Sequence, residues 1–409
     1  MRNYAVAVVV LVLLLGLLAL AGSVRAAGST YTVNTTSFTN DGSCDPLDSG
    51  DCTVWEAVQL AAVNAGEDTI AFDIPVTDTN YGHNTAGVWS IVLTDTLPSL
   101  AGDIVDGTTQ AQNVLSDTNP YGPEIELSGE GLSAGASCWF IGSDGTIKGL
   151  AINRCPAYGV VVSGAYNTIV GNYIGTDATG SSDVSTGYDG ILLGNGTENN
   201  TIGGPAEADR NVISAMNGGI RIFQTTGNTA GNVVEGNYIG TDRTGTQPLG
   251  NGYGIKIHGG AHDNTIGPHN VIAFNTVNGV WVTELNTNGN TITENNIYGN
   301  GGLGIDLTFD GNDSVAAPSI PSHTCASASG TAPLNATVEL FTGPDDEGKT
   351  FLTSVSADGS GNWSASGFLA DDAYLTATAT DSDGNTSEFS AAVTGCDKRT
   401  YVPLATKNY

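Results

Sequence analysis

Gly171-Asn172-Tyr173-Ile174-Gly175-Thr176-Asp177 recurs, letter for letter, at 236–242. Between and beyond these copies runs a shorter phrase. It reads Asn167-Thr168-Ile169, Asn200-Thr201-Ile202, Asn232-Val233-Val234, Asn264-Thr265-Ile266 and Asn290-Thr291-Ile292, at spacings of 33, 32, 32 and 26 residues. Self-similarity at such a period marks a stacked or radial repeat, in which each unit buries its apolar face only against its neighbours.

Within each period a glycine opens a short aliphatic alternation. The series is Gly159-Val160-Val161-Val162, Gly190-Ile191-Leu192-Leu193, Gly219-Ile220-Arg221-Ile222, Gly254-Ile255-Lys256-Ile257, Gly279-Val280-Trp281-Val282 and Gly304-Ile305-Asp306-Leu307. Side chains alternate faces along a strand, so the first and third residues after each glycine point inward and the second points outward. The inward set is always Ile, Val or Leu, whereas the outward set varies. Helical apolar spacing is absent, and Gly, Asn and Thr interrupt every candidate helix. A propeller blade would need four strands in roughly 40–50 residues. Two or three very short strands per period fit an all-β solenoid, a right-handed parallel β-helix. Asn172, Asn211, Asn237, Asn270 and Asn296 each precede a hydrophobic pair. Asparagine tolerates left-handed backbone at a sharp turn, and stacked amides form hydrogen-bonded ladders.

These phrases, with Asn-Asn-Thr-Ile-Gly-Gly at 199–204 and Arg-Asn-Val-Ile-Ser at 210–214, resemble the repeats of secreted bacterial right-handed parallel β-helix proteins of pectin-lyase-like fold. The resemblance covers roughly residues 120–310. It implies a fold, and a fold hosts many functions. Residues 27–75 resemble the short Cys-x-x-x-Glu-Ala segment that caps many such proteins, here Cys52-Thr53-Val54-Trp55-Glu56-Ala57. Val54, Ala57, Val58 and Ala61 fall on one helical face, and Glu56 is expected on the surface of that cap helix. The repeat region is expected to occupy 76–313. A linker at 314–322 leads to alternating strands at 323–397 that resemble a bacterial immunoglobulin-like module, followed by a tail at 398–409.

The apolar run Tyr4–Ala21 after Arg2, ending in Val24-Arg25-Ala26, reads as an export signal spanning 1–26. An uncleaved anchor is the competing reading. No later stretch is apolar and long enough to span a membrane. Acidic residues number 42 against 12 basic, for a formal charge of −30. Such a surface repels nucleic acid and anionic lipid. Six cysteines in an exported chain point to disulfides, with Cys44–Cys52, Cys138–Cys155 and Cys325–Cys396 the favoured pairing and others left open.

Two outward columns carry the candidate chemistry. One reads Val161, Leu192, Arg221, Lys256, Trp281, Asp306; the next reads Ser163, Gly194, Phe223, His258, Thr283, Thr308. Coils stack about 4.8 Å apart, so each column is a regular track of side chains. Trp281 and Phe223 offer faces for a sugar ring, while Arg221, Lys256, His258, Glu284 and Asp306 offer polar contacts. Glycan binding along this strip is the first reading. An enzyme is the second, either a polysaccharide lyase with Lys256 or His258 as base and Arg221 as clamp, or a hydrolase using Asp306 and Glu284. The chain lacks the clustered Asp and Gly-His-Gly of polygalacturonases and the Asp-His and Arg-x-Pro-x-x-Arg signatures of pectate lyases. A structural stalk or adhesin is the third. No organic cofactor is expected. Ca²⁺ is considered at Asp177 with Asp183 or Asp381 with Asp383, because Asp-rich turns supply hard oxygen ligands.

Overall fold

The structure, a computed structural model, describes residues 28–44, 52–113, 117–368, 370 and 372–395. The export signal, Cys396 and the tail from 398 lie outside them. Three parallel sheets of nine, eight and eight strands run the length of the repeat region, and each strand pairs with its counterpart in the coils before and after. This is a parallel β-helix. The Asn-Thr-Ile strands form the first sheet, the glycine-led strands the second and the Tyr-Ile strands the third. Thr30–Val33 and Thr69–Phe72, which the sequence places in a cap, are the first two strands of the nine-stranded sheet.

The interior is built from columns of β-branched residues. Ile147, Ile169, Ile202, Val234, Ile266 and Ile292 stack in register in the first sheet. Ile152, Ile174, Ile213, Ile239, Ile272 and Ile297 do so in the third. All are buried, and each such side chain removed from water is worth roughly 1.5–3 kcal/mol. The β-branched residues suit strands of two or three residues because their χ1 is already restricted.

The repeated heptapeptide is accounted for position by position. Gly175 and Gly240 adopt φ of 88°, and a Cβ at Gly240 would sit 2.2 Å from the carbonyl oxygen of Ala273, so only glycine fits. Tyr173 and Tyr238 face outward, and Ile174 and Ile239 inward. Asp177 accepts from Thr179 Oγ1 at 2.7 Å and from the amides of Ser181 and Ser182 at 3.0 Å, closing its own loop. Asp242 does the same with Thr244 and Gln247.

Asparagine forms three ladders. The first runs Asn167, Asn200, Asn232, Asn264, Asn290, Asn312; the second runs Asn172, Asn211, Asn237, Asn270, Asn295; the third runs Asn251, Asn275, Asn300. In a typical rung Oδ1 of Asn232 accepts both the backbone amide (3.1 Å) and Nδ2 (2.7 Å) of Asn200. One ladder is expected from the sequence and three are present. The last rung of the second is Asn295, not Asn296, which pairs with Val271 as a strand residue.

Both ends of the solenoid are closed. At the N-terminal end the helix Val54–Ala61 packs Val54, Ala57, Val58 and Ala61 into the core. Glu56 is buried, contrary to the expected surface position. It accepts from the Thr53 amide at 3.0 Å in a capping box and from the Asp41 amide at 2.6 Å. At the other end, two antiparallel sheets spanning Ser322–Thr394 pack on a second core around Val338, Leu340, Trp363 and Leu375. This module accepts the amides that the last coil would leave open. Glu339 takes the amide of Glu294 (3.0 Å), Asp345 that of Gly299 (2.8 Å), Glu388 that of Leu307 (3.0 Å) and Asn385 that of Gly289 (2.6 Å). Glu347 Oε2 accepts both the backbone amide and Nδ2 of Asn300 at 3.2 Å, taking the place of the next asparagine. Cys44–Cys52 and Cys138–Cys155 are disulfides. Cys325 is disulfide-bonded too, and its expected partner Cys396 lies outside the described residues.

Two outcomes follow from these contacts. Asn232→Ala strands the Asn200 amide and the Thr197 carbonyl in the interior, and denaturant titration should show a loss of about 2–4 kcal/mol. Burial, reinforced by Asp345 and Asp346, pushes the Glu347 carboxyl from 4.5 up to about 8. The fold therefore favours its neutral form. The contribution of Glu347 to stability should be greatest below about pH 4.5, decline as pH rises toward 8 and level off above it, and Glu347→Gln should remove that component from the pH dependence of melting.

Candidate functional site

The outward strip is continuous. Val161 pairs with Leu192, Leu192 with Arg221, Arg221 with Lys256, Lys256 with Trp281 and Trp281 with Asp306. In the second column Gly194, Phe223 and His258 stand in register, as do Thr283 and Thr308. Arg221, Phe223, Lys256, His258, Trp281 and Asp306 are all half-buried on the outer face of the second sheet. Stacking of the inward Ile, Val and Leu columns fixes this alignment, because a one-residue slip would turn every charged group into the core.

The side chains are tied to one another. Lys256 Nζ lies 4.0 Å from the centroid of the Trp281 ring. Trp281 Nε1 donates to Thr308 Oγ1 at 2.8 Å, and Thr308 Oγ1 to Thr283 Oγ1 at 2.8 Å. Phe223 and His258 stack with centroids 5.8 Å apart and planes 20° off parallel. His258 Nδ1 stands 3.8 Å from Glu284 Oε1. Asn278 Nδ2 donates to Asp306 Oδ2 at 2.6 Å. Glu284 belongs to the strip's edge and holds the Gly259 amide at 3.1 Å. Asp306 and Glu284 each make a contact of their own, and no contact joins them.

Arg221 is not the free cation expected from the sequence. It forms an ion pair with Asp189, a fully buried carboxylate, and its Nε donates to Tyr253 Oη at 3.3 Å. Tyr253 Oη donates in turn to Asp189. Burial raises the Asp189 pKa, with Tyr253 and Arg221 pulling the other way. Asp189 and Tyr253 are absent from the sequence-derived set because each precedes the glycine from which the alternation is counted. The signal available was register, since Asp189, Gly218 and Tyr253 are paired across neighbouring coils.

Proton affinities on the strip are shifted. Burial and then the Arg221 charge lower the Lys256 pKa, against Glu284 and Asp189. Burial and then Lys256 lower that of His258, so the imidazole is neutral at neutral pH. With Arg221 balanced by Asp189, only Lys256 presents an unneutralised positive charge on the strip. At the turns considered for Ca²⁺, Asp183 accepts the Ser185 amide and Asp381 accepts from Asp383 and Asn385, all near 3.0 Å. Asp177 likewise accepts from its own loop. Among the described residues no group of three or more His, Cys, Asp or Glu side chains is arranged to hold a metal ion.

No protein-family model matches this chain. No curated protein matches it either. Among solved structures, the pectate lyase Pel9A is similar over 68% of this chain and 72% of its own, at 16% identity and a TM-score of 0.30. The enzymatically active domain of tailspike protein 2 of bacteriophage CBA120 is similar over 91% and 77%, at 12% identity and a TM-score of 0.28. The fold assignment stands on the strand pairing of the chain itself.

The strip's electrostatics give a direct check. Lys256→Met should raise the His258 pKa toward 6.5, and Glu284→Gln should lower it further. Both are read from the imidazole resonances in an NMR titration. Movement in the opposite directions would mean that the two charges do not face the ring.

Proposed function

We propose that this is an exported protein whose second-sheet strip binds extracellular glycan. The observation that carries the reading is the register of Arg221, Lys256 and Trp281 on adjacent coils, with Phe223 and His258 stacked beside them. Together they make a track of apolar faces edged by hydrogen-bonding groups, the pairing that a pyranose ring, apolar on its C–H face and polar at its rim, requires. The disulfide-bonded state of Cys44, Cys52, Cys138, Cys155 and Cys325 supports an oxidising compartment outside the cell. Trp281 is covered by Lys256 in the free protein, so a sugar stacking on the indole displaces the ammonium, which is then free to donate to a hydroxyl.

A polysaccharide lyase is the second reading, favoured by the lowered proton affinity of Lys256, which suits a base. Against it stands Arg221, whose charge Asp189 already neutralises.

Retention of the mature protein on immobilised neutral polysaccharides, with and without Ca²⁺, tests the binding reading. Trp281→Ala should weaken retention about tenfold or more. Ultraviolet absorbance of an unsaturated product from polygalacturonate, abolished by Lys256→Ala, would put the lyase in its place. Neither retention nor turnover on any polymer would leave a structural stalk.

A further inference from the structure

A wide concavity lies next to the strip, not on it. It is a groove of about 840 Å³ lined by Glu130, Leu132, Ala134, Arg154, Pro156 and Tyr188, with Ser185 and Thr186 at its edge. Three separate turns converge to form it, and the Cys138–Cys155 disulfide fixes the floor beneath two of them. A Cβ at Gly129 would sit 2.9 Å from Cys138 Sγ and 2.8 Å from Cys155 Cα, so the chain can pass there only as glycine.

Arg154 is held at the groove by unusual means. Its φ is +52°, a conformation that non-glycine residues rarely keep without support from their surroundings. Its Nη1 donates to Glu126 Oε1 at 2.8 Å and to Asn153 Oδ1 at 2.9 Å. Glu126 is fully buried and is itself fixed by Ser90 and Asn153. On the groove side, Arg154 Nε stands 4.0 Å from Glu130, which contacts His83 at 3.3 Å. The Nη2 of Arg154 has no hydrogen-bond partner among the described residues. Leu132, Pro156 and the half-exposed Tyr188 ring supply apolar lining to the same groove. Tyr188 packs on Tyr158 with centroids 5.9 Å apart, and the Arg221 guanidinium stands over Tyr158 at 5.8 Å. An unbroken line of side chains thus joins the groove to the strip.

We propose that this groove is a second glycan subsite, taking an uncharged sugar unit at one end of the chain that lies on the strip. The sugar's C–H face packs on Tyr188 and its hydroxyls bond Arg154 Nη2 and Glu130. Arg154 shares its charge with two carboxylates in a protein of formal charge −30, so the groove has no excess positive charge for a uronate. The inference rests on the glycan reading of the strip, and its test separates the two.

Saturation-transfer NMR with glucose, galactose, mannose, N-acetylglucosamine and galacturonate as probes would be run on the full mature protein. Three variants serve: Tyr188→Ala, Ala134→Trp, which fills the groove from its exposed rim, and Trp281→Ala on the strip. At least one neutral sugar should bind, with Tyr188→Ala and Ala134→Trp each weakening it about tenfold and Trp281→Ala altering it less. Binding lost only in Trp281→Ala would overturn the groove and leave the strip standing. Binding lost only in the groove variants, with intact polysaccharide retained unchanged by Trp281→Ala, would keep the groove and overturn the strip. Preference for galacturonate would overturn the neutral class, and absence of any sugar signal would overturn the groove outright.

Discussion

The asparagine corner amide is the interaction on which this structure depends. A coil that turns sharply between sheets leaves a backbone amide facing no strand, and burying it unpaired would cost about 1–3 kcal/mol. Each ladder asparagine repairs this for its neighbour, because its Oδ1 accepts the corner amide of the adjacent coil while its own Nδ2 reaches onward. The rung works only if coils stack in one register. The device that satisfies the corners therefore also fixes which side chains lie above one another, and with them the composition of the outer strip.

The same requirement explains the ends. A ladder must stop, and its last amides need acceptors from outside the repeat. Asn312 closes the first ladder and hands its Nδ2 to Asn290 O and Thr386 O, at 2.7 and 3.1 Å. Glu347 closes the third and Glu339 accepts the amide of Glu294 nearby. The C-terminal module presents carboxyl oxygens, which accept hydrogen bonds in either protonation state, at the points where a solenoid has amides to spare. Of these, Glu339 and Glu347 are buried and form no ion pair among the described residues, so the junction is sensitive to protonation in a way the ladders are not.

Much of this was legible in the sequence, and the limits have physical causes. The inward Ile column and the outward column from Val161 to Asp306 are read correctly, because a parallel β-helix converts sequence period directly into spatial stacking. The last rung of the second ladder slips by one because Asn296 takes the strand position that Val271 holds in the coil before, so the rung falls to Asn295, which no hydrophobic pair directly follows. Leu97–Leu100 escapes notice because Pro98 interrupts it and proline argues against a strand. Asp189 and Tyr253 lie just ahead of the glycines that open the alternation. The groove of Arg154 and Tyr188 could not be read at all, since it is assembled from turns whose approach depends on loop geometry and a disulfide.

Residue-resolved hydrogen exchange of the backbone amides of Asn200, Asn232 and Asn264 tests the ladder most directly. If side-chain oxygens hold these corner amides, they exchange as slowly as the strand amides of Ile202, Val234 and Ile266. Exchange at the rate of an open turn, with the strand amides still protected, would show that the corners are solvated and that the asparagine ladder does not set the register.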